Sequence, residues 1–316
     1  MSFSSKAKGE ICRTSPGKDC CKLTELAALI QTSETIHLYS KGKIKLKIVT
    51  ENAFIARRVF MLIKSLYNES AEIIVRKNKK LRKNNSYILH IAKPGLARRM
   101  LTDAYILDAS NNSEIGLRQV IPAELIKNRC CKKAYLRGAF LGSGSVSNPE
   151  KAYHLEFVAR SRVYGESLCA LLNDFDLGAK IITRKNNYVI YVKEGENIVD
   201  LLSIIGAHTA LLNFENIRVY KDMRNNINRL VNCETANLSK TVNASIRQIE
   251  NINYIKENIG LENISPSLRS IAELRLNYPN ASLKELGELT SPPLGKSGVN
   301  HRLRKLEKIV NDHKSG

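Results

Sequence analysis

The 316-residue sequence contains no tryptophan, few other aromatics (7 Phe and 12 Tyr), and only 30 acidic residues against 50 basic ones. So few rings, with no stacking-platform motif, argue against recognition of single-stranded RNA, where unpaired bases lie on aromatic side chains. A basic groove alone would still accept RNA. No apolar run approaches the roughly 20 residues that a bilayer requires, so no membrane partner is expected. The start, Met1 to Glu10, is polar and lacks the apolar core of a secretory signal, which predicts a cytoplasmic protein. Cysteine is odd in number, at seven, and suggests no disulfide framework in that compartment.

The shortage of acid leaves a formal charge of +20. Clustered Lys and Arg gain affinity for nucleic acid by releasing counterions condensed on phosphates, so double-stranded DNA is the predicted partner. Solubility alone would explain a uniform excess, but this one is localised. Residues 22–129 hold 20 Lys and Arg against 9 Asp and Glu, residues 130–230 hold 14 against 10, and residues 264–316 hold 9 against 5.

An internal repeat organises the first two thirds of the chain. Cys20-Cys21-Lys22 matches Cys130-Cys131-Lys132 in one register that also aligns Leu26 with Leu136, Ala28 with Gly138 and Ser33 with Ser143. A duplicated unit is the simplest reading. If the two repeated helices pack, their equivalent ends would bring the four sulfurs of Cys20-Cys21 and Cys130-Cys131 near a pseudo-dyad, but adjacent cysteines lack the two-to-four-residue gap of zinc sites, so the pairs are expected to be buried small hydrophobes, with no metal or cofactor.

After the first repeated helix, Ile44, Leu46 and Ile48 alternate with Lys43, Lys45 and Lys47, which predicts a strand with one apolar face and one lysine stripe. A helix over Asn52–Tyr67, a hairpin over Ile73–Ile91 with a basic loop that includes Arg76 and Lys77, and a helix after Pro94-Gly95 follow. The second copy repeats this order, and its hairpin turn carries Arg184 and Lys185. Periodic lysine also merely solvates an open sheet and guards its edge, so DNA contact by these residues is one of two readings.

Residues 221–263 are rich in Asn and predict a helical linker that ends at Gly260, with a capped junction between helices near Asn228–Asn237. The last stretch changes pattern. Pro266 opens one helix and Pro279 ends it; Ser282-Leu283-Lys284-Glu285 is a capping box; Ser297 is the expected cap of a third helix with Val299, Leu303, Leu306 and Val310 as its buried stripe. A short capped helix, a connector and a basic amphipathic helix predict a helix-turn-helix, whose last helix enters the major groove. Ser297, Asn300, His301 and Arg304 are the candidates for base edges; Lys296, Arg302, Lys305 and Lys308 are the candidates for phosphates, with Ser282 and Lys284 on the preceding helix. An ordinary three-helix bundle with a solvated basic face is the plainer alternative.

Leu26-Ala27-Ala28-Leu29-Ile30-Gln31-Thr32-Ser33-Glu34 and its counterpart ending at Ser143 resemble the signature helices of LAGLIDADG homing endonucleases. In that family two such helices pack side by side, and each ends in an acid that helps hold metal over the scissile phosphates. Ser33 and Ser143 stand at those positions, and neutral hydroxyls are poor sole ligands for a hard cation. The resemblance therefore implies a kept architecture without nuclease chemistry. Glu34 lies one position beyond Ser33, but its counterpart is Gly144, so an active endonuclease is the lesser reading, beside RNA binding by the same surface. Over almost the whole chain, on Leu26–Glu34, Ala134–Val146, Asn228–Gln248 and Ser297–Leu306, the sequence resembles the WhiA family of bacterial transcription regulators.

That resemblance implies an α+β fold, a LAGLIDADG-like saddle of two pseudo-symmetric αββαββα units followed by an all-α helix-turn-helix domain. The expected divisions are an arm over 1–21, repeats over 22–128 and 129–220, a linker over 221–263 and a DNA-binding domain over 264–316. The implied function is sequence-specific transcription regulation connected with cell division, chromosome segregation and sporulation, in the cytoplasm and at the nucleoid. A second transcription factor or RNA polymerase is a further candidate partner, and the oligomeric state is left open.

Overall fold

A computed structural model of the protein describes residues 2–32, 36–38, 44–77, 85–108 and 116–315. The chain divides into two units, Met1–Lys221 and Asp222–Gly316. The first contains α1 (Phe3–Ile11) and then α2 (Asp19–Thr32), β1 (Ile36–Leu38), β2 (Ile44–Thr50), α3 (Ala53–Tyr67), β3 (Glu72–Arg76), β4 (Ser86–Ile91) and α4 (Pro94–Asp103). A small ribbon, β5 (Leu107–Asp108) with β6 (Gly116–Leu117), and a 3-10 turn lead to the second copy. That copy comprises α5 (Arg129–Ser143), β7 (Gly144–Val146), β8 (Leu155–Ala159), α6 (Arg162–Asn173), β9 (Lys180–Arg184), β10 (Asn187–Val192) and α7 (Gly195–Ile205). The order αββαββα thus occurs twice, and each copy makes an antiparallel four-stranded sheet, β1-β2-β4-β3 and β7-β8-β10-β9.

The two copies join through α2 and α5, and small residues dictate how. A side chain at Gly138 would collide with the carbonyl oxygen of Glu25 and lie 2.8 Å from Ala28 Cβ, and one at Gly142 would strike Thr32. Backbone therefore meets backbone along this seam. The run Leu26–Ile30 is buried at every position, as expected of a helix covered on all sides.

A charge lies in this seam. Glu25 and Arg58 of α3 are 0% and 1% exposed, and the guanidinium grips the carboxylate with two bonds, Nε to Oε1 at 2.7 Å and Nη2 to Oε2 at 2.9 Å. Arg58 Nη1 also donates to the carbonyl of Thr14, and Arg137 of α5 adds a contact to Glu25 Oε2 at 3.4 Å while its Nε donates to the Ile205 carbonyl. A buried pair is tolerable only when its remaining donors and acceptors are used in this way.

The amino-terminal residues are part of the core. Ala7 and Ile11 are fully buried, and Lys8 Nζ donates to the Leu141 carbonyl at 3.1 Å. Glu10 accepts from the amides of Thr209 and Ala210 at 2.6 and 3.0 Å, the first turn of α8 (His208–Asn258). The carboxylate thereby satisfies two free amides and lies at the positive end of the helix dipole.

The junction expected near Asn228–Asn237 does not exist: α8 runs through it without a break. No Gly or Pro occurs between His208 and Ile259, and asparagine is only a weak helix breaker. The helix ends where expected, with Gly260 in the left-handed region at φ +86°. In the second unit the end of α8 packs with α9 (Pro266–Asn277), α10 (Leu283–Glu288) and α11 (Lys296–Ser315) around Ile252, Ile255, Leu268, Ile271, Leu286, Val299, Leu303, Leu306 and Val310.

Candidate nucleic-acid interface

In the second unit the buried stripe of α11 fixes which of its residues face water. With Val299, Leu303, Leu306 and Val310 in the core, Ser297, His301, Arg304 and Lys308 fall at helical spacing on one exposed face, bordered by Lys305 and the half-buried Asn300. Lys296 is exposed in the first turn. Arg302 is placed differently from its expected phosphate-facing role: it is half-buried and donates to the Ser267 carbonyl at 3.3 Å, linking α11 to the start of α9. Ser297 is not the cap of α11. The Gly295 carbonyl accepts the first helical bond, from Val299 N at 3.1 Å, and Ser297 lies inside the first turn, its hydroxyl left for other partners.

Local hydrogen bonds set the approach of α10 to α11. Ser282 Oγ accepts from Glu285 N at 3.3 Å and Ser282 N donates to Glu285 Oε2 at 2.6 Å, the reciprocal capping box. These bonds hold the Glu285 carboxyl below its usual range. Lys284 is exposed beside Glu288 at 3.9 Å. The buried Arg275 donates to the carbonyls of Pro279 and Ala281, closing the turn between α9 and α10. Thr290 Oγ1 donates to the carbonyls of Gly287 and Pro292, and Leu294 N donates to Gly287 O at 2.9 Å. A Cβ at Gly287 would collide with the Leu294 carbonyl oxygen. Gly287→Val is therefore expected to destabilise the second unit by about 1–3 kcal/mol through overpacking. Calorimetry of the full chain would check this, and an unchanged transition would refute the close approach.

In the first unit, register decides which charges share the open face of each sheet. Ile44, Leu46 and Ile48 are buried, so Lys45 and Lys47 lie on the other face of β2. Through β4 the same face includes His90 and, on β3, Glu72, Ile74 and Arg76. Lys77 is exposed just beyond β3, whereas Lys43 lies outside the described residues. In the second sheet Arg184 pairs with Asn187 across the two-residue turn Lys185-Asn186, and Lys185 takes a positive φ of 53°, as such hairpin turns require. Arg184 shares the open face with Lys180, Ile182, Val158 and Tyr191. Lys180 escaped the sequence reading because a single lysine at a strand start has no periodic signal.

The carboxyl-terminal ends of α2 and α5 are where the endonuclease acids would stand. Ser143 is partly buried and its Oγ donates back to the Ala139 carbonyl at 3.2 Å; Ser33 lies outside the described residues. At the opposite ends of the same helices the structure corrects the expectation for the cysteine pairs. Cys21 and Cys131 are buried, but Cys20 and Cys130 are exposed, and all four sulfurs lie within 4.8 Å of one another. The gap rule describes ligands on one loop, whereas here the packing of two helices brings the pairs together. Among the described residues no helix is long and apolar enough to cross a membrane.

Residues 19–107 match the model of the WhiA N-terminal LAGLIDADG-like domain, residues 132–224 that of the WhiA LAGLIDADG-like domain, and residues 227–310 that of the WhiA C-terminal HTH domain. The chain is 56% identical over 310 residues to a protein named probable cell division protein WhiA from Alkaliphilus metalliredigens, covering 98% of each chain. It is 52% identical to the protein of the same name from Clostridium acetobutylicum, over 99% of this chain and 98% of that one. The crystal structure of full-length DUF199/WhiA from Thermatoga maritima is similar with a TM-score of 0.60 at 27% identity, covering 99% of both chains. A duplicated LAGLIDADG-like unit followed by a helix-turn-helix domain, matched along nearly its whole length by such relatives, belongs to the WhiA family.

Proposed function

We propose that the protein is a sequence-specific regulator of transcription that binds double-stranded DNA and does not cleave it. The observation that carries this reading is the exposed face of α11, where Ser297, His301, Arg304 and Lys308 project from a helix held by its own apolar stripe. Polar side chains in the first two turns, with an arginine one turn beyond them on the same face, suit base edges in a major groove, and the flanking Lys296, Lys305 and Lys308 suit phosphates. The open sheet faces of the first unit add backbone affinity through Lys45, Lys47, Arg76, Lys77, Arg184 and Lys185. The relatives' name supports cell division as the regulated process, with chromosome segregation and sporulation as finer candidates and the nucleoid as the place of action. RNA polymerase or a second transcription factor is the partner such a regulator would need.

The test is duplex binding by the full chain across a salt series with Mg2+ present, on random and genome-enriched sequences, with strand breaks scored in the same tubes. Selective, salt-sensitive binding to intact DNA is expected; nicks would overturn the non-cleaving reading, and equal affinity for both pools would overturn sequence specificity. In the same assay Arg76→Glu combined with Arg184→Glu is expected to weaken binding to both pools alike and to make the salt slope shallower by about two. An unchanged slope would remove the sheets from the interface.

A further inference from the structure

Cys20 and Cys21 occupy the second and third positions of α2, and Cys130 and Cys131 the same positions of α5. The symmetry extends to the backbone. Lys18 O accepts from Cys21 N and Lys22 N at 2.9 and 3.0 Å, and Asn128 O accepts from Cys131 N and Lys132 N at 3.0 Å each. The sulfurs within each pair are 4.0 Å apart, and all four lie within 4.8 Å of one another. A tetrahedral Zn2+ with Zn–S bonds of about 2.3 Å separates its sulfurs by about 3.8 Å, so closure on an ion needs movements of an ångström or less. Cys21 and Cys131 form a small buried cluster with Ala134, apart from the main core, while Cys20 and Cys130 open it to solvent. Among the described residues it is the one group of three or more Cys, His, Asp or Glu side chains spaced to hold a metal ion.

We propose that Cys20, Cys21, Cys130 and Cys131 form a four-thiolate site for one Zn2+ ion, which fastens the first turn of α2 to the first turn of α5. The donor set selects the ion: four soft sulfurs in tetrahedral reach suit a thiophilic d10 cation and exclude the hard, oxygen-seeking Mg2+ and Ca2+. Binding releases the four thiol protons and leaves a complex of charge −2, since Zn2+ contributes two positive charges and the thiolates four negative ones. That charge is placed at two helix amino termini, where the backbone dipole is positive. Lys18, Lys22, Arg129, Lys132 and Lys133 flank the pairs in sequence against the single acid Asp19. The site is closed by four protein ligands, which makes it a structural clamp across the seam between the repeats.

Elemental analysis of the full chain, purified without chelator and under reductant, is expected to find about one zinc per chain. After stripping with a chelator, titration with Co2+ is expected to produce the thiolate charge-transfer and visible bands of tetrahedral sulfur coordination, with saturation at one equivalent. Cys20→Ser combined with Cys130→Ser changes only the exposed pair, so its fold, checked by circular dichroism, is expected to persist while zinc and the cobalt bands are lost. Cys233→Ser is the control and is expected to keep both. The proposal is overturned by Co2+ titration of the unsubstituted chain without thiolate bands, or by bands that survive in the double variant. A mass lower by two hydrogens per bridge, restored by reductant, in a chain free of metal would also overturn it and make the cluster a disulfide pair.

Discussion

Arg58→Ala is expected to remove about 3–5 kcal/mol from the stability of the first unit, a large fraction of the roughly 5–15 kcal/mol that a folded domain possesses. The loss is large because the partner remains: Glu25, 0% exposed, would retain a buried carboxylate stripped of its two-bond guanidinium. Arg137 at 3.4 Å is a single contact and cannot replace a two-bond grip. Arg58→Lys is expected to recover only part of the loss, since one ammonium cannot span both oxygens or reach the Thr14 carbonyl at the same time. Replacing both partners by Leu and Met should be milder than removing either alone. Urea unfolding followed by circular dichroism would rank the three variants, and a double replacement worse than Arg58→Ala would refute the argument.

Arg304→Ala is expected to weaken binding to the genome-enriched duplex by about 1–3 kcal/mol, or roughly 5- to 150-fold, and to relax base preference, with a much smaller change on random duplex. The side chain is exposed and makes none of the hydrogen bonds that hold α11, so its removal leaves the unit folded. That separates it from Arg302, whose bond to Ser267 means that Arg302→Ala loosens α9 against α11. Quantitative binding to both pools at one salt concentration distinguishes the cases. Equal losses on both pools would assign Arg304 to the phosphates.

The repeat was legible because packing two helices backbone to backbone constrains residue size at fixed positions, and that constraint shows in Ala28 and Gly138. The hairpins were legible from period-two alternation, and the carboxyl-terminal helices from Pro266, Pro279 and the Ser282–Glu285 box, all of them local signals. What stayed hidden depends on tertiary contact. Glu25 and Arg58 are 33 positions apart, and neither stands out among charged residues in amphipathic helices. The convergence of the cysteine pairs was legible from the same helix pairing that Ala28 and Gly138 reveal, but the exposure of Cys20 and Cys130 was not. The unbroken course of α8 was missed because polar composition was read as a junction, when only Gly or Pro would have forced one. Ser297 was assigned as a cap on residue type alone, and Gly295, one turn connection earlier, took that place.

Glu10 has a consequence for how the chain comes into being. Its two amide partners, Thr209 and Ala210, are 199 and 200 residues downstream. On a ribosome adding about 5–20 residues per second, α1 emerges and then waits roughly 10–40 s before the segment it caps has been made. The first repeat is synthesised long before its counterpart, and neither α2 nor α1 has its full set of partners until α5 and the start of α8 have left the exit tunnel. The first unit is thus completed late and as a whole, with α1, made long before its partners, among the last elements to find its place.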